Sequence, residues 1–432
     1  MVPVSTFSWD NPRFQKLLSR SASVSEEIWE STQKIVEDVR TRGDQALFHY
    51  MERFDRITLS PETIRVSEAE FAAARRAVSD TFRNAVKAAV ENLFVYHRCQ
   101  LPQSYEIEHP KGVILRRRIL PIGRVGVCVP GASGPLCSSL MMNVVPALVA
   151  GVSRITVVTA PRGGRIDDHI LYVADYLGIR NVLKISGAQA VAALAYGTES
   201  VERVDKIVGP GNAYVSVAKR IVSGVVGIDS FAGPSEIVVI ADESANPRFI
   251  AADLLSQSEH GTGEESAVAF VLSEEMGKRV ADEVESLARE HGLVERVSRA
   301  LSSYGAIFVV DSLETAVEAT NAIAPEHVEV LVEDDEQVID GITCAGAVYT
   351  GTWSPEPVGD YFCGTNHVLP TNGTARFSSA LGVSDFVRSM SIVRYSKDAL
   401  FDNMELITAL ADAEGMKAHA LSVRIRGEGR EV

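Results

Sequence analysis

Arg124-Val-Gly-Val-Cys-Val-Pro130, an apolar stretch over 138–149, then Ile155-Thr-Val-Val-Thr-Ala160: this run decides the fold. The two short segments are valine-rich, of strand length, and apolar throughout rather than alternating, as strands buried on both faces are. The stretch between them has helix length. A hydropathy scan would merge 140–160 into one span near membrane length, but Asn143, Pro146, Gly151 and Arg154 interrupt it. The reading is therefore a buried helix, a short turn and a buried strand.

Outward from that unit the alternation continues. A helical pattern over 168–177 is followed by a strand at 182–185 and by a helix over 188–196 opened by Ser186-Gly187. Strands separated by helical patterns of this length imply a parallel sheet covered on both faces. The pattern restarts at Ser235-Glu-Ile-Val-Val-Ile-Ala-Asp242, with further strands at 267–272, 306–310 and 328–332. The fold class is thus α/β, with two incomplete Rossmann-like lobes, the first over 124–234 and the second resuming at 235. Segments 25–42, 67–78 and 80–98 are helical in pattern and are read as completing the second lobe. The helical tail 397–424 is too small to hold a core of its own, so it is expected to pack on something else, another subunit included.

Composition excludes several functions. The 432 residues are 46% apolar and 23% charged, which suits packed cores and not disorder. A net charge of -15 argues against nucleic acid and against an anionic membrane surface, both of which need a positive footprint. The five cysteines are odd in number, scattered and free of any C-x-x-C pair, so neither a disulfide framework nor a thiolate cage is suggested. The first ten residues have no basic segment followed by an apolar one, so no secretory signal is read and the expected location is cytoplasmic.

Two lobes of this kind suggest a nucleotide, yet Gly209-Pro-Gly-Asn-Ala-Tyr214 has Tyr214 where a third dinucleotide-binding glycine would fall. Its plain reading is a tight turn before a helix at Ala213. Pro130-Gly-Ala-Ser-Gly-Pro135 is a second glycine-bearing loop between strand and helix, a position suited to anions. Any nicotinamide cofactor is expected to bind in an atypical mode.

The nine histidines say more. Gln257 and His260 stand three apart at the end of an apolar helix and can offer an amide oxygen and an imidazole nitrogen to a metal; the alternative is a polar helix end closed by Gly261. Pro325-Glu-His327 places a carboxylate and an imidazole at a strand mouth, the makings of an acid/base pair or of a solvated loop end. Asp360 and His367 lie in a Pro/Gly-rich stretch, 354–370, read as a long loop of the kind that is often functional. Glu414 and His419 sit on the C-terminal helix at a spacing that is poor for one face.

Taken in order, Ile228-Asp-Ser-Phe-Ala-Gly-Pro-Ser-Glu236, Asp253-Leu-Leu-Ser-Gln-Ser-Glu-His260, Pro325-Glu-His327, Gly359-Asp-Tyr361, Gly364-Thr-Asn-His-Val-Leu-Pro-Thr371 and Ala413-Glu-Gly415 with His419 resemble the signature of histidinol dehydrogenases, from about Arg40 to Arg424. The resemblance implies a zinc ion, one per subunit, held by Gln257, His260, Asp360 and His419, with substrate nitrogens completing its shell. It implies His327 as general base and Glu326 as the group that activates water on the aldehyde, in an oxidation of L-histidinol to L-histidine by two NAD+. Substrate contacts would come from Ser235, Gln257, His260, His327, Asp360, His367, Glu414 and His419. Glu414 and His419 would reach the neighbouring subunit of an intertwined homodimer. Cofactor contacts would come from Cys128, Gln189 and Asn212.

Under that resemblance residues 1–24 are an N-terminal extension and 25–123 with 235–380 the catalytic lobe. Residues 124–234 are then the NAD-binding lobe, and 381–432 the tail that serves the partner. The chain departs from the family where tyrosine is common and Cys128 stands, where glycine is common and Ala132 stands, and in the less regular loop Gly261-Thr-Gly-Glu-Glu265. A paralogue oxidising another small polar alcohol shares these residues, as does a zinc hydrolase using Glu326 on a bound amide or ester. A catalytically dead binding protein is the remaining alternative, and the full set of ligands and bases argues against it.

Overall fold

A computed structural model of the chain describes residues 2–20, 25–131, 134–230 and 233–427. In chain order its strands are β1 (Val4–Thr6), β2 (Tyr105–His109), β3 (Val113–Pro121), β4 (Arg124–Val129), β5 (Arg154–Thr159), β6 (Val182–Leu183) and β7 (Lys206–Val208). There follow β8 (Gly227–Ile228), β9 (Glu236–Ala241), β10 (Ser266–Val271), β11 (Gly305–Val309), β12 (His327–Leu331), β13 (Ala347–Thr350) and β14 (Val387–Arg394).

Two parallel sheets form, as the alternation predicts. The first runs β6-β5-β4-β7-β8 and the second β1-β11-β10-β9-β12-β13. Because side chains of a strand point to opposite faces in turn, β9 sends Ile237, Val239 and Ala241 into one core with Leu254 and Val280, and Val238 and Ile240 into another with Phe270, Phe308 and Val328. A sheet buried on both faces gains about 1.5–3 kcal/mol for each such side chain, and that gain accounts for the continuous apolar runs in the sequence. The stretch that could pass for a membrane span is the helix Cys137–Ala150 followed by β5. Among the described residues no helix is long and apolar enough to cross a membrane.

The N-terminal region differs from its sequence reading in two ways. Helix Glu26–Arg42 packs against helices Gly187–Tyr196 and Ala213–Val222, Glu68–Ala77 against Asp168–Tyr176, and Asp80–Arg98 against Cys137–Ala150. These helices cover the first lobe and not the second. Amphipathic spacing reveals that a helix has a buried face, but it carries no information on which surface receives it. Residues 1–24, read as an extension, contribute β1 to the edge of the second sheet, and helix Pro12–Leu18 packs on Val294–Tyr304 and Leu313–Ile323.

The chain divides into two compact units. The first holds both lobes, over 1–100 and 122–386; the second comprises 101–121 with 387–432. Within the second unit β14, β3 and β2 form an antiparallel sheet, and helices Lys397–Ala413 and Lys417–Arg424 pack on each other. The helices were expected in the tail. The strands were not, because Arg116-Arg-Arg118 interrupts β3 and breaks any alternation of apolar residues.

Candidate active site

Helix Leu313–Ile323 ends at Ala324 in the left-handed region, φ 51°, a conformation costly for a residue with a Cβ. Pro325 then fixes the direction in which Glu326 and His327 enter β12. His327 is the first residue of β12 and pairs in register with Ile237 on β9. That register brings the Glu236 main chain against both side chains. Glu236 N donates to Glu326 Oε2 at 3.0 Å, and His327 Nδ1 lies 3.0 Å from the Glu236 carbonyl oxygen. A carbonyl can only accept, so Nδ1 carries the proton and Nε2 keeps its lone pair.

His327 Nε2 is buried and makes no hydrogen bond; it stands 3.6 Å from Glu356 Oε1 and 3.9 Å from Asp360 Oδ1. Asp360 Oδ1 is in turn 3.7 Å from His367 Nδ1. Burial pushes the His327 imidazole down to about 4, the attraction of Asp360 opposing it only in part. The ring is therefore neutral near pH 7. Burial, with repulsion from the carboxylates around it, holds Glu326 well above the usual carboxylate range. Burial and then Asp360 push Glu356 up to about 9, while burial and then Asp253 push Glu329 up to about 10. Glu236 is fully enclosed, with Arg20 Nη1 at 3.0 Å from its Oε1 and Asn372 N donating to its Oε2.

Gln257 lies at the end of helix Pro247–Ser258 with no exposed surface, and neither amide atom finds a well-formed hydrogen bond. It is close enough to Glu356 to favour that group's charged form. His260 follows beyond the helix end and not on its last turn; its Nδ1 donates to Gln257 O at 3.1 Å, which leaves Nε2 for a ligand. Such a bond to the far ring nitrogen commonly orients a metal-binding histidine. Among the described residues, His327, Glu356 and Asp360 offer ligand atoms that all lie within 4.8 Å of one another. Orphaned buried nitrogen and oxygen atoms amid an excess of carboxyl groups fit a divalent cation with mixed ligands.

The sequence model of the histidinol dehydrogenase family matches residues 18–427 of this chain. The chain belongs to the histidinol dehydrogenase family. It is 49% identical over 395 residues to the histidinol dehydrogenase of Halalkalibacterium halodurans, covering 91% of this chain and 92% of the relative. With that of Bacillus subtilis it shares 45% over 408 residues, covering 93% and 94%. A crystal structure of histidinol dehydrogenase from Elizabethkingia anophelis is similar with a TM-score of 0.92 at 37% identity, covering 99% of this chain and 98% of that one. Histidinol dehydrogenase membership makes the chain an oxidoreductase of histidine biosynthesis, which sets the hydrolase reading aside.

Of the residues singled out in the sequence, Glu326, His327, Asp360 and His367 come together, with Gln257 and His260 beside them and Ser235 next to Glu236. Glu414 and His419 lie in the second unit, both exposed. Cys128, Gln189 and Asn212 occupy the first lobe and are engaged separately. Cys128 is buried in β4, its thiol pushed up to about 12 by burial. Gln189 donates to Met51 Sδ at 3.5 Å. Asn212 caps helix Ala213–Val222 by accepting from Val215 N at 3.1 Å. Ala132 lies outside the described residues.

Sequence reading missed Glu356, Glu236, Glu329, Asp253 and Arg20. Glu356 belongs to a stretch taken for loop, yet Pro355-Glu-Pro357 opens the short helix Glu356–Tyr361, and proline early in a helix is the signal that could have shown it. Glu236, Glu329 and Asp253 stand beside apolar neighbours in buried elements, and a carboxylate there is itself a flag, since isolated buried charge is costly.

Proposed function

We propose that this chain oxidises L-histidinol through L-histidinaldehyde to L-histidine with two NAD+, using one zinc ion per subunit, in a cytoplasmic homodimer. One observation carries the reading: a buried, neutral imidazole whose Nδ1 is pinned to the Glu236 carbonyl and whose Nε2 is free, beside a buried carboxyl, Glu326. Gln257, His260 and Asp360 would hold the metal together with His419, supplied across the homodimer interface. When bound, zinc supplies a fixed positive charge that orients the amine and imidazole of the substrate, and NAD+ accepts hydride.

His327 Nε2 takes the hydroxyl proton of the alcohol as hydride leaves carbon, and the Glu236 carbonyl keeps the ring in the tautomer that can do so. Glu326 takes a proton from the water that adds to the aldehyde, its affinity for that proton raised by the enclosed site. Ser235, His367 and Glu414 would line the substrate, and enclosure retains the aldehyde. Cys128 near the end of β4, Gln189 in the first turn of helix Gly187–Tyr196 and Asn212 at the cap of helix Ala213–Val222 mark the region proposed for NAD, with the small Cys128 in place of the family's aromatic surface. The homodimer is supported by the second unit's own surface, where Leu406 is 67% exposed and Leu410 72%. Apolar area of that kind marks a contact. The five cysteines are free, which suits a reducing compartment.

The test is NADH formation from L-histidinol by zinc-loaded protein with a chelator control. The reading expects chelator-sensitive formation of two NADH per histidinol. A folded, zinc-retaining protein silent on histidinol but active on another small polar alcohol would transfer the assignment to the paralogue.

A further inference from the structure

Lys219 and Asp229 form an ion pair in which each side chain is only 4% exposed. Nothing in the chemistry above uses it. Burying two charges costs several kcal/mol each before their attraction is counted, and an apolar pair of the same size would stabilise a core as well or better. What the charges supply is directional. Asp229 Oδ2 accepts from Gly209 N at 2.7 Å, and Lys219 Nζ donates to Gly209 O at 3.0 Å. Both polar main-chain atoms of one residue are therefore held by one ion pair.

Gly209 has φ 102°, and a Cβ there would fall 2.2 Å from the Cys128 carbonyl oxygen. The turn it opens is pressed against β4 and runs through Pro210 and Gly211 to Asn212, the cap of helix Ala213–Val222, which itself carries Lys219. Asp229 comes from another direction. It stands just after β8, at the start of the segment 228–236 that ends in Ser235 and Glu236, the residue whose main chain holds Glu326 and His327.

We propose that Lys219 and Asp229 are positioning residues for NAD: the pair fixes the Gly209–Asn212 turn in the shape that receives the cofactor and ties it to the segment leading to the catalytic strand. The inference rests on the assignment of NAD to the first lobe. Hydride transfer needs its partners set to a fraction of an ångström, and a misplacement of about 1 Å costs up to about a hundredfold. A turn held by two charges at both polar atoms resists such drift.

The experiment compares wild type with the double variant Lys219→Met/Asp229→Asn, which removes both charges together and leaves no buried ion unpaired. NAD+ binding to the zinc-loaded dimer is measured by titration calorimetry, and amide hydrogen exchange is followed over 209–212. Expected are a loss of NAD+ affinity of about ten- to a hundredfold, faster exchange at the turn, and a raised KM for NAD+ with the KM for histidinol and the zinc content unchanged. A folded double variant with wild-type NAD+ affinity overturns the proposal. Should that variant fail to fold, Lys219→Arg keeps the charge but alters the reach to Gly209 O; it is expected to lose NAD+ affinity several-fold, and unchanged affinity overturns the proposal equally. A wild type that itself binds no NAD+ sinks the cofactor assignment and this inference with it. A wild type that binds, beside variants that bind equally well, sinks only this inference.

Discussion

The two lobes of the first unit are built alike, and the residues proposed for function lie at opposite edges of their sheets. In the first, Cys128, Gln189 and the Gly209 turn all lie at or beyond the carboxyl ends of β4, β6 and β7, where open α/β sheets usually receive ligands. In the second, Glu236 and His327 are the first residues of β9 and β12, and Gln257 ends the helix that returns to that same amino edge. The difference follows from what each edge offers. A strand start has a main-chain N–H not yet taken by the ladder, and Glu236 N spends it on Glu326. The fold-level rule points to the lobe proposed here for NAD and passes over the edge proposed for catalysis, which is recognised only from its buried ionisable groups.

The sharpest way to break this division of labour is His327→Asn. It is expected to cost about 10²–10⁴-fold in kcat while zinc content, measured by atomic absorption, and the KM for NAD+ stay as in wild type; loss of zinc would move His327 from base to ligand. Glu326→Gln is expected to cost about 10²-fold on histidinaldehyde and markedly less on the first hydride transfer, read by stopped-flow NADH absorbance. Equal loss on both steps would remove its separate role.

Metal loading sharpens the contrast from the electrostatic side. Glu356, pushed up to about 9 by burial and Asp360, holds a proton at pH 7.5 in the metal-free protein. Zinc binding should therefore release about one proton per ion, read by calorimetry in two buffers of different ionisation heat. No release would mean the carboxyl cluster is already ionised.

Gly209→Ala acts on the other lobe. Its φ and the nearby Cys128 carbonyl leave no room for a methyl group, so a loss of about 1–3 kcal/mol of stability is expected, seen as a lower Tm, with zinc content intact. The smallest effect is at Asp175, which ties the N-terminal helices to the first lobe. Burial pushes its carboxyl up, but the guanidinium groups of Arg180 and Arg75 outweigh that and its pKa is lowered. A lowered folded pKa gives stability that is present above the unfolded value near 4 and lost as pH falls through the folded one. Asp175→Asn is thus expected to cost up to about 1 kcal/mol at pH 7 and nothing near pH 2, by urea denaturation at both.

Much of the fold was legible because valine- and isoleucine-rich runs such as 236–241 admit few other readings. Glu326-His327 was legible as a strand mouth because Pro325 marks the boundary. Partnership over long distance was not. Arg20 meets Glu236 across the chain, and no local pattern announces that an arginine at a helix end will be enclosed. Helix 26–42 showed its apolar face but not its seat, and β1, three residues long, is too short to carry a period.

That short strand has a consequence for how the protein is made. Val4 pairs with Ile307, so β1 emerges from the ribosome about 300 residues before its neighbour, an interval of roughly 15–60 s at ordinary elongation speed. For that time the segment that becomes β1 has no neighbouring strand, and this edge of the second sheet can close only once β11 has followed it, with β12 and β13 still to be added at the opposite side.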